Sequence, residues 1–443
     1  MLRTVSIFAA LLAFVRADSC ELSGGNYYCS EVNQIQFSGV GFAGSYNRVT
    51  DMNPTSGTCQ STPFSFEGPL APFDEGLSVH FRGPIELLQF GVYTPSGSPA
   101  KRDLGDHHVH RRDPQLVTEY RDYTDFVTVD QFGNLLTGEA AAVATAAQDP
   151  SAVTTVNTEA TLELATSVLN YNFNHQAESS ATGPSVITTQ APPQATASVS
   201  ANGAWQKAAF YDANSVSSSG LTFLNNLGGQ GSGVFDYAFG NSLSYCAADG
   251  VNAASSPQTL NKVVVPSNKE FIIFTDQQCS SATCGYWREG IPAYRGFEGN
   301  QKIFVFEFTM PSESTVPAGS FNYDMPAIWL LNAQIPRTLQ YGLADCSCWA
   351  SGCGEFDLFE VLTAGEQRML ATMHDKQNGN GAGCSSYFTR PTSGTMKAAV
   401  VMDNGVVTLV RLDDSVAFGE SISNDQIQQW FAATKGQSAA VQV

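Results

Sequence analysis

The chain has 443 residues, with 41 Asp and Glu against 22 Lys and Arg, for a formal net charge of −19. That excess of negative charge argues against a nucleic acid or an anionic membrane as partner. Apolar residues make up 43% of the chain, enough for two domains with their own cores.

Met1 to Ala17 reads as a signal segment. Arg3 supplies the positive end, Val5 to Val15 the apolar run and Val15-x-Ala17 the small residues before cleavage. The run is too short to span a bilayer, and no second one follows. The polar end from Lys435 to Val443 is unlike a lipid-anchor signal. The expected product begins near Asp18, is secreted and extracellular, and is a monomer. No Asn-x-Ser/Thr acceptor with x other than Pro occurs, so N-glycosylation is not expected.

All ten cysteines lie beyond that segment: Cys20, Cys29 and Cys59 early, then Cys246, Cys279, Cys284, Cys346, Cys348, Cys353 and Cys384. In an oxidising compartment they read as disulfides, with Cys279 and Cys284 as a local pair. A zinc site built from Cys346, Cys348, Cys353 and Cys384 is the rival reading. Three early and seven late cysteines leave an odd number on each side. Either one thiol stays free on each side or one bridge crosses between them.

Residues 18–135 read as a small β-sandwich-like domain. Gln34–Phe37, Leu77–Phe81 and Glu86–Phe90 are short strand signals punctuated by Gly and Pro. Tyr27, Tyr28 and Tyr46 would either stack on sugar rings or fill a core. Within this stretch, Lys101-Arg102 and Arg111-Arg112 are dibasic pairs open to processing. His107, His108 and His110 between them read as a solvated cluster rather than a metal site. Residues 136–204 are rich in Ala, Ser and Thr and poor in large apolar residues, which predicts a disordered linker.

Residues 205–443 return to strand signals: Lys262–Val265, Phe271–Phe274, Lys302–Phe308, Lys397–Met402 and Val406–Val410. The last two flank Asp403-Asn404-Gly405, a strong hairpin turn. Many short strands without helical periodicity predict an all-β sandwich. The Gly-rich run 227–233 follows no strand-to-helix pattern and is not read as a phosphate loop. Trp430, in the amphipathic stretch 424–431, is expected to be structural.

Within this region, Gly354-Glu355-Phe356-Asp357-Leu358-Phe359-Glu360 carries three carboxylates in an E-x-D-x-x-E spacing. In a strand, Glu355 and Asp357 share a face. Strict alternation sends Glu360 to the other face, and one β-bulge near Leu358-Phe359 brings it back. Grouped carboxylates raise one another's pKa, so such a row points to acid chemistry more than to a solvated face or a calcium site. Retaining glycoside cleavage needs one ionised and one protonated carboxyl roughly 5–5.5 Å apart.

The row resembles the bulged motif of glycoside hydrolase family 16, β-jelly-roll enzymes acting on β-glucans. Met325-Pro326-Ala327-Ile328-Trp329-Leu330-Leu331 resembles that family's P-A-x-W-L-L strand, and Ala371-Thr372-Met373-His374 resembles the strand that places a His near the acids. The resemblance implies Glu355 as nucleophile, Asp357 as assisting acid and Glu360 as acid/base. It further implies Trp329 as a sugar platform and His374 as a site-lining residue. Trp349 and Trp287 are candidates for added sugar contacts. The layout of the whole chain, with Tyr27-Tyr28-Cys29 and residues 46–52, is similar to the Tos-type fungal cell-wall proteins.

Membership of that group implies a β-1,3-glucan role in the wall; no metal or other cofactor is expected. The expected activity is a retaining endo-β-1,3-glucanase. A glucan or chitin–glucan transglycosylase and a non-catalytic glucan-binding wall protein are the alternatives.

Overall fold

In a computed structural model of the chain, residues 20–96 and 204–443 are described, apart from 316 and 318. The expected signal segment 1–17, the dibasic pairs, the cluster of His107, His108 and His110, and residues 136–203 of the expected linker lie outside the described residues.

Two nine-stranded sheets pack face to face, as the all-β expectation required. The first sheet runs, in spatial order, through Ala253–Ala254, Ser244–Cys246, Leu221–Asn225, Glu270–Thr275, Leu77–Arg82, Ala327–Asn332, Glu355–Glu360, Arg368–His374 and Ala382–Thr389. The second runs through Ser421–Ser423, Ala204–Asp212, Glu86–Pro95, Gln301–Thr309, Met396–Asp403, Val406–Leu412, Gln34–Ser38 and Ser438–Gln442, with Ser217–Ser219 pairing Ala204–Asp212.

This order corrects the expectation of a separate small sandwich over 18–135. Leu77–Arg82 sits inside the first sheet and Glu86–Pro95 inside the second, each between strands from beyond residue 203. The apolar faces of these strands are completed only by partners across the chain. Phe81 stacks on Phe271 with ring centroids 4.7 Å apart, and Phe90 lies 5.4 Å from Phe306. Fully buried side chains of this size contribute about 2–3 kcal/mol each, which fixes the interleaved arrangement over two small cores. The final strand, Ser438–Gln442, then pairs in parallel with Gln34–Ser38.

Alternation explains which faces meet. In Leu77–Arg82, the side chains of Leu77, Val79 and Phe81 enter the core between the sheets, leaving Ser78, His80 and Arg82 on the opposite face. The outer face of the second sheet is covered by the helix Asn424–Thr434, whose Ile427 and Trp430 pack against Ile303, Val305 and Val401. Trp430 is structural, as expected. The hairpin Met396–Asp403/Val406–Leu412 forms with Asn404 and Gly405 both at positive φ (47° and 89°), the geometry its turn residues favour.

Lys262–Val265 is not a strand. Val265 makes a single bridge to Ile85, and the following Pro266 has no N–H to extend a ladder.

Four disulfides join Cys20–Cys29, Cys59–Cys346, Cys279–Cys284 and Cys348–Cys353. The odd counts are thus resolved by a crossing bridge, while Cys246 and Cys384 remain free and buried. The rival zinc set is dispersed: Cys346 bonds Cys59, Cys348 bonds Cys353 and Cys384 lies in the core. Among the described residues no group of side chains is arranged to hold a metal, and no helix is long and apolar enough to cross a membrane.

Candidate active site

The strand Glu355–Glu360 departs from strict alternation where the spacing demanded it. Asp357 lies opposite Trp329 and Phe359 opposite Ile328, so Leu358 is the extra residue. On its other side, Asp357 faces Thr372 while Glu360 faces Leu370, another shift across the same bulge. Phe356, Leu358 and Phe359 all enter the core. The bulge thereby keeps two consecutive apolar side chains inside and restores Glu360 to the outer face with Glu355 and Asp357.

Neighbouring strands then place three polar rows across that face. Arg82, Ala327 and Glu360 lie side by side on three strands. Because Ala327 has only a methyl group, Arg82 reaches past it and donates from Nη2 to Glu360 Oε1 at 3.2 Å, while its Nε donates to the Met325 carbonyl at 2.8 Å. In the middle row, His80, Trp329 and Asp357 are in register. In the third, Leu331, Glu355 and His374 follow one another. From its place opposite Glu355, His374 turns its Nε2 to within 3.1 Å of Asp357 Oδ2.

Glu355 has a second restraint. The loop closed by Cys348–Cys353 carries Trp349, whose indole Nε1 donates to Glu355 Oε2 at 2.6 Å. Cys59–Cys346 straps this loop to the hairpin Gly44–Asn53/Thr58–Phe66, which packs Tyr46 and Phe66 beside Trp329 and Leu331. Tyr46 is buried, and its hydroxyl donates to Glu75 Oε2 at 2.7 Å. Tyr28 is buried as well, so the core reading of both holds, whereas Tyr27 is exposed.

Burial pushes the Glu355 carboxyl above the usual carboxylate range, and the Glu360 charge adds to it. The His374 charge and the Trp349 hydrogen bond act the other way. Asp357 is raised further, first by burial and then by the charges of Glu360 and Glu355. Burial opposes a charged His374, yet the Asp357 hydrogen bond and the three acidic charges outweigh it and lift its pKa to about 9. Both members of the His374–Asp357 pair are shifted upward, so the pair keeps a proton at a pH where an isolated carboxyl has lost it.

The structure thus brings together Glu355, Asp357, Glu360, His374 and Trp349, with Trp329 in register beside them. Trp329 is not an open platform. It is 5% exposed, because His80 stacks on its ring with centroids 5.1 Å apart and Arg82 lies 5.8 Å from its centroid. Trp287 is partly exposed and stands next to Arg288, whose backbone N–H donates to the Arg337 carbonyl. Among the described residues it shares no hydrogen bond or ring contact with the acid row.

Sequence reasoning missed Arg82 and His80. The alternation of Ser78, His80 and Arg82 with Leu77, Val79 and Phe81 was a legible signal of a strand presenting polar groups on one face.

A family model described as "Cell wall protein YJL171C/Tos1, C-terminal" matches residues 203–430, and its N-terminal counterpart matches residues 33–95. The chain is similar to a protein of Candida albicans named "Probable circularly permuted 1,3-beta-glucanase TOS1", at 42% identity over 453 residues covering 95% of each chain. A protein of the same name from Saccharomyces cerevisiae is 42% identical over 460 residues, covering 100% of this chain and 98% of its own. A "Probable circularly permuted 1,3-beta-glucanase" from Arthroderma benhamiae is 35% identical over 444 residues, covering 96% of this chain and 95% of its own. No solved structure matches the chain. The chain belongs to the Tos1-type family of fungal cell wall proteins.

Proposed function

We propose that the protein is a secreted, cell-wall endo-β-1,3-glucanase that cleaves with retention of configuration. The observation that carries this reading is the bulge-aligned row of Glu355, Asp357 and Glu360, with its ends held by Trp349 and Arg82. The β-1,3-glucan substrate and the wall location are supported by the names of the relatives and of the family.

In the first step Glu355, ionised, attacks the anomeric carbon as the glycosidic bond breaks, and Glu360 gives its proton to the departing oxygen. In the second, Glu360 takes a proton from water, whose oxygen displaces Glu355 from the sugar. A sugar hydroxyl in place of water gives chain transfer by the same proton bookkeeping. Asp357 and His374 hold a proton between the two working carboxyls, limiting the repulsion that three adjacent acids would otherwise suffer.

The test is incubation of the full chain with laminarin, beside Glu355→Gln and Glu360→Gln. Either substitution should reduce product formation by at least about 1,000-fold. Equal product from wild type and Glu355→Gln would remove the catalytic assignment. No product from any form, with binding retained, would favour a glucan-binding wall protein. Labelled acceptor appearing in longer oligosaccharides would assign transfer.

A further inference from the structure

Trp349 and Glu355 sit on opposite sides of one glycine hinge. The loop from Cys348 to Cys353 is closed by its disulfide and braced from within. The Gly352 N–H donates to the Trp349 carbonyl at 2.9 Å, and Ser351 Oγ donates to the Cys348 carbonyl at 2.8 Å. The loop joins the strand Glu355–Glu360 through Gly354, whose φ of 107° is open to glycine and strained for other residues. A unit so braced turns as a whole about Gly354. Whatever fixes that hinge therefore fixes the 2.6 Å bond from Trp349 to Glu355.

Asn332 holds both sides of the hinge. Its backbone N–H donates to the Gly354 carbonyl at 3.0 Å, and its Nδ2 donates to the Cys353 carbonyl at 3.0 Å. It is the last residue of Ala327–Asn332 and is buried. Its Oδ1 accepts from the Gln334 N–H at 3.0 Å, an ordinary asparagine turn that uses only one end of the amide. The other end is shared with Glu75, whose Oε2 accepts from Asn332 Nδ2 at 3.3 Å.

Glu75 is a largely buried carboxyl with no part in the chemistry above. The same Oε2 accepts from the Tyr46 hydroxyl at 2.7 Å and from Arg48 Nη2 at 3.4 Å. The backbone is held too, since the buried Lys302 ammonium donates to the Phe73 carbonyl at 2.8 Å and to the Glu75 carbonyl at 3.3 Å. Burial favours the neutral form of Glu75, while the Arg48 charge and the bonds from Tyr46 and Asn332 favour the charged one.

We propose that Asn332 is a positioning residue for Glu355: anchored on Glu75, it sets the angle at Gly354 at which Trp349 reaches that carboxylate. The inference rests on the reading of Glu355 as nucleophile. It adds a residue outside the acid row on which the ionisation of that carboxyl depends.

The full chain carrying Asn332→Ala, Trp349→Phe or both is assayed on laminarin across pH. Loss of the clamp lets Trp349 draw away from Glu355, removing part of what favours the charged carboxylate. The acid limb of kcat/KM in Asn332→Ala should move to higher pH by about half a unit, roughly a threefold change in proton affinity. In the Trp349→Phe background the same substitution should move it no further, because the bond it acts through is already gone. Tyr46→Phe keeps its ring and deletes the hydroxyl that fixes Glu75. It should move the limb the same way by a smaller amount, again only while Trp349 is present, and it decides the question if Asn332→Ala does not fold.

An acid limb left in place, or an Asn332→Ala shift that adds in full to that of Trp349→Phe, would overturn the positioning role and leave the glucanase reading standing. A lowered Tm with an unchanged pH profile would do the same. A wild-type chain that turns over no laminarin would remove that reading, and the positioning role with it.

Discussion

Trp349 Nε1 donates to Glu355 Oε2 at 2.6 Å, so the loop closed by Cys348–Cys353 directly holds the proposed nucleophile. A donor to a carboxylate favours its charged form and opposes the upward shift that burial imposes on Glu355. Trp349→Phe keeps the ring and loses the donor. The acid limb of kcat/KM should then move to higher pH by roughly one unit, since a hydrogen bond to a charged group is worth about 1.5–3 kcal/mol. A pH profile on laminarin with an unmoved acid limb would exclude Glu355 as the titrating group.

Arg82 supplies the only side-chain cation bonded to Glu360 among the described residues. Replacing it with Met removes a positive charge from beside the carboxyl proposed as the acid/base. We expect kcat to fall about 10- to 100-fold. Arg82→Lys should recover part of that, because it keeps the charge and loses the planar fork that also reaches the Met325 carbonyl. Steady-state kinetics of the two variants check this, and a loss confined to KM would contradict it.

His374 gives a stability signature independent of turnover. Its pKa rises from the ordinary 6.5 to about 9 on folding, so the folded protein retains a proton that the unfolded chain releases across that interval. The associated stability is complete below pH 6.5 and disappears as the pH climbs to about 9. Urea unfolding at pH 6 and pH 9.5 should show wild type losing roughly 1–2 kcal/mol more than His374→Gln over that span. Parallel curves for the two proteins would rule out the charged pair with Asp357.

Cys59–Cys346 encloses a sequence separation of 287 residues and ties the Gly44–Asn53/Thr58–Phe66 hairpin to the loop bearing Trp349. Cys59→Ser with Cys346→Ser should cost about 2–5 kcal/mol, visible as a lowered Tm. It should also weaken catalysis more than Tm alone explains, because Trp349 is then held from one side only. Activity measured well below the new Tm separates the two effects.

The acid strand was legible because its spacing and its apolar residues agreed. Phe356, Leu358 and Phe359 require one extra residue on the core side, and that same extra residue returns Glu360 to its partners. The Asn404-Gly405 hairpin was equally local. Arg82 and His80 were harder to see, since their strand pairs with residues some 250 positions away and nothing nearby in the sequence names that partner. The same distance hid the bond from Cys59 to Cys346. The sugar-platform role that the resemblance implies for Trp329 fails because the residue that covers it, His80, belongs to this remote strand.

Interleaving has a consequence for how the molecule responds to proteolysis. A cut anywhere between residues 97 and 203 divides the polypeptide without dividing the body. The short fragment would remain threaded through the middle of both sheets and bolted by Cys59–Cys346 to the long one. Such a nicked protein should migrate as a single species until a reductant and a denaturant act together. Its glutamates would stay aligned throughout, because the strands that align them, Leu77–Arg82, Ala327–Asn332 and Glu355–Glu360, keep their pairing across the two fragments.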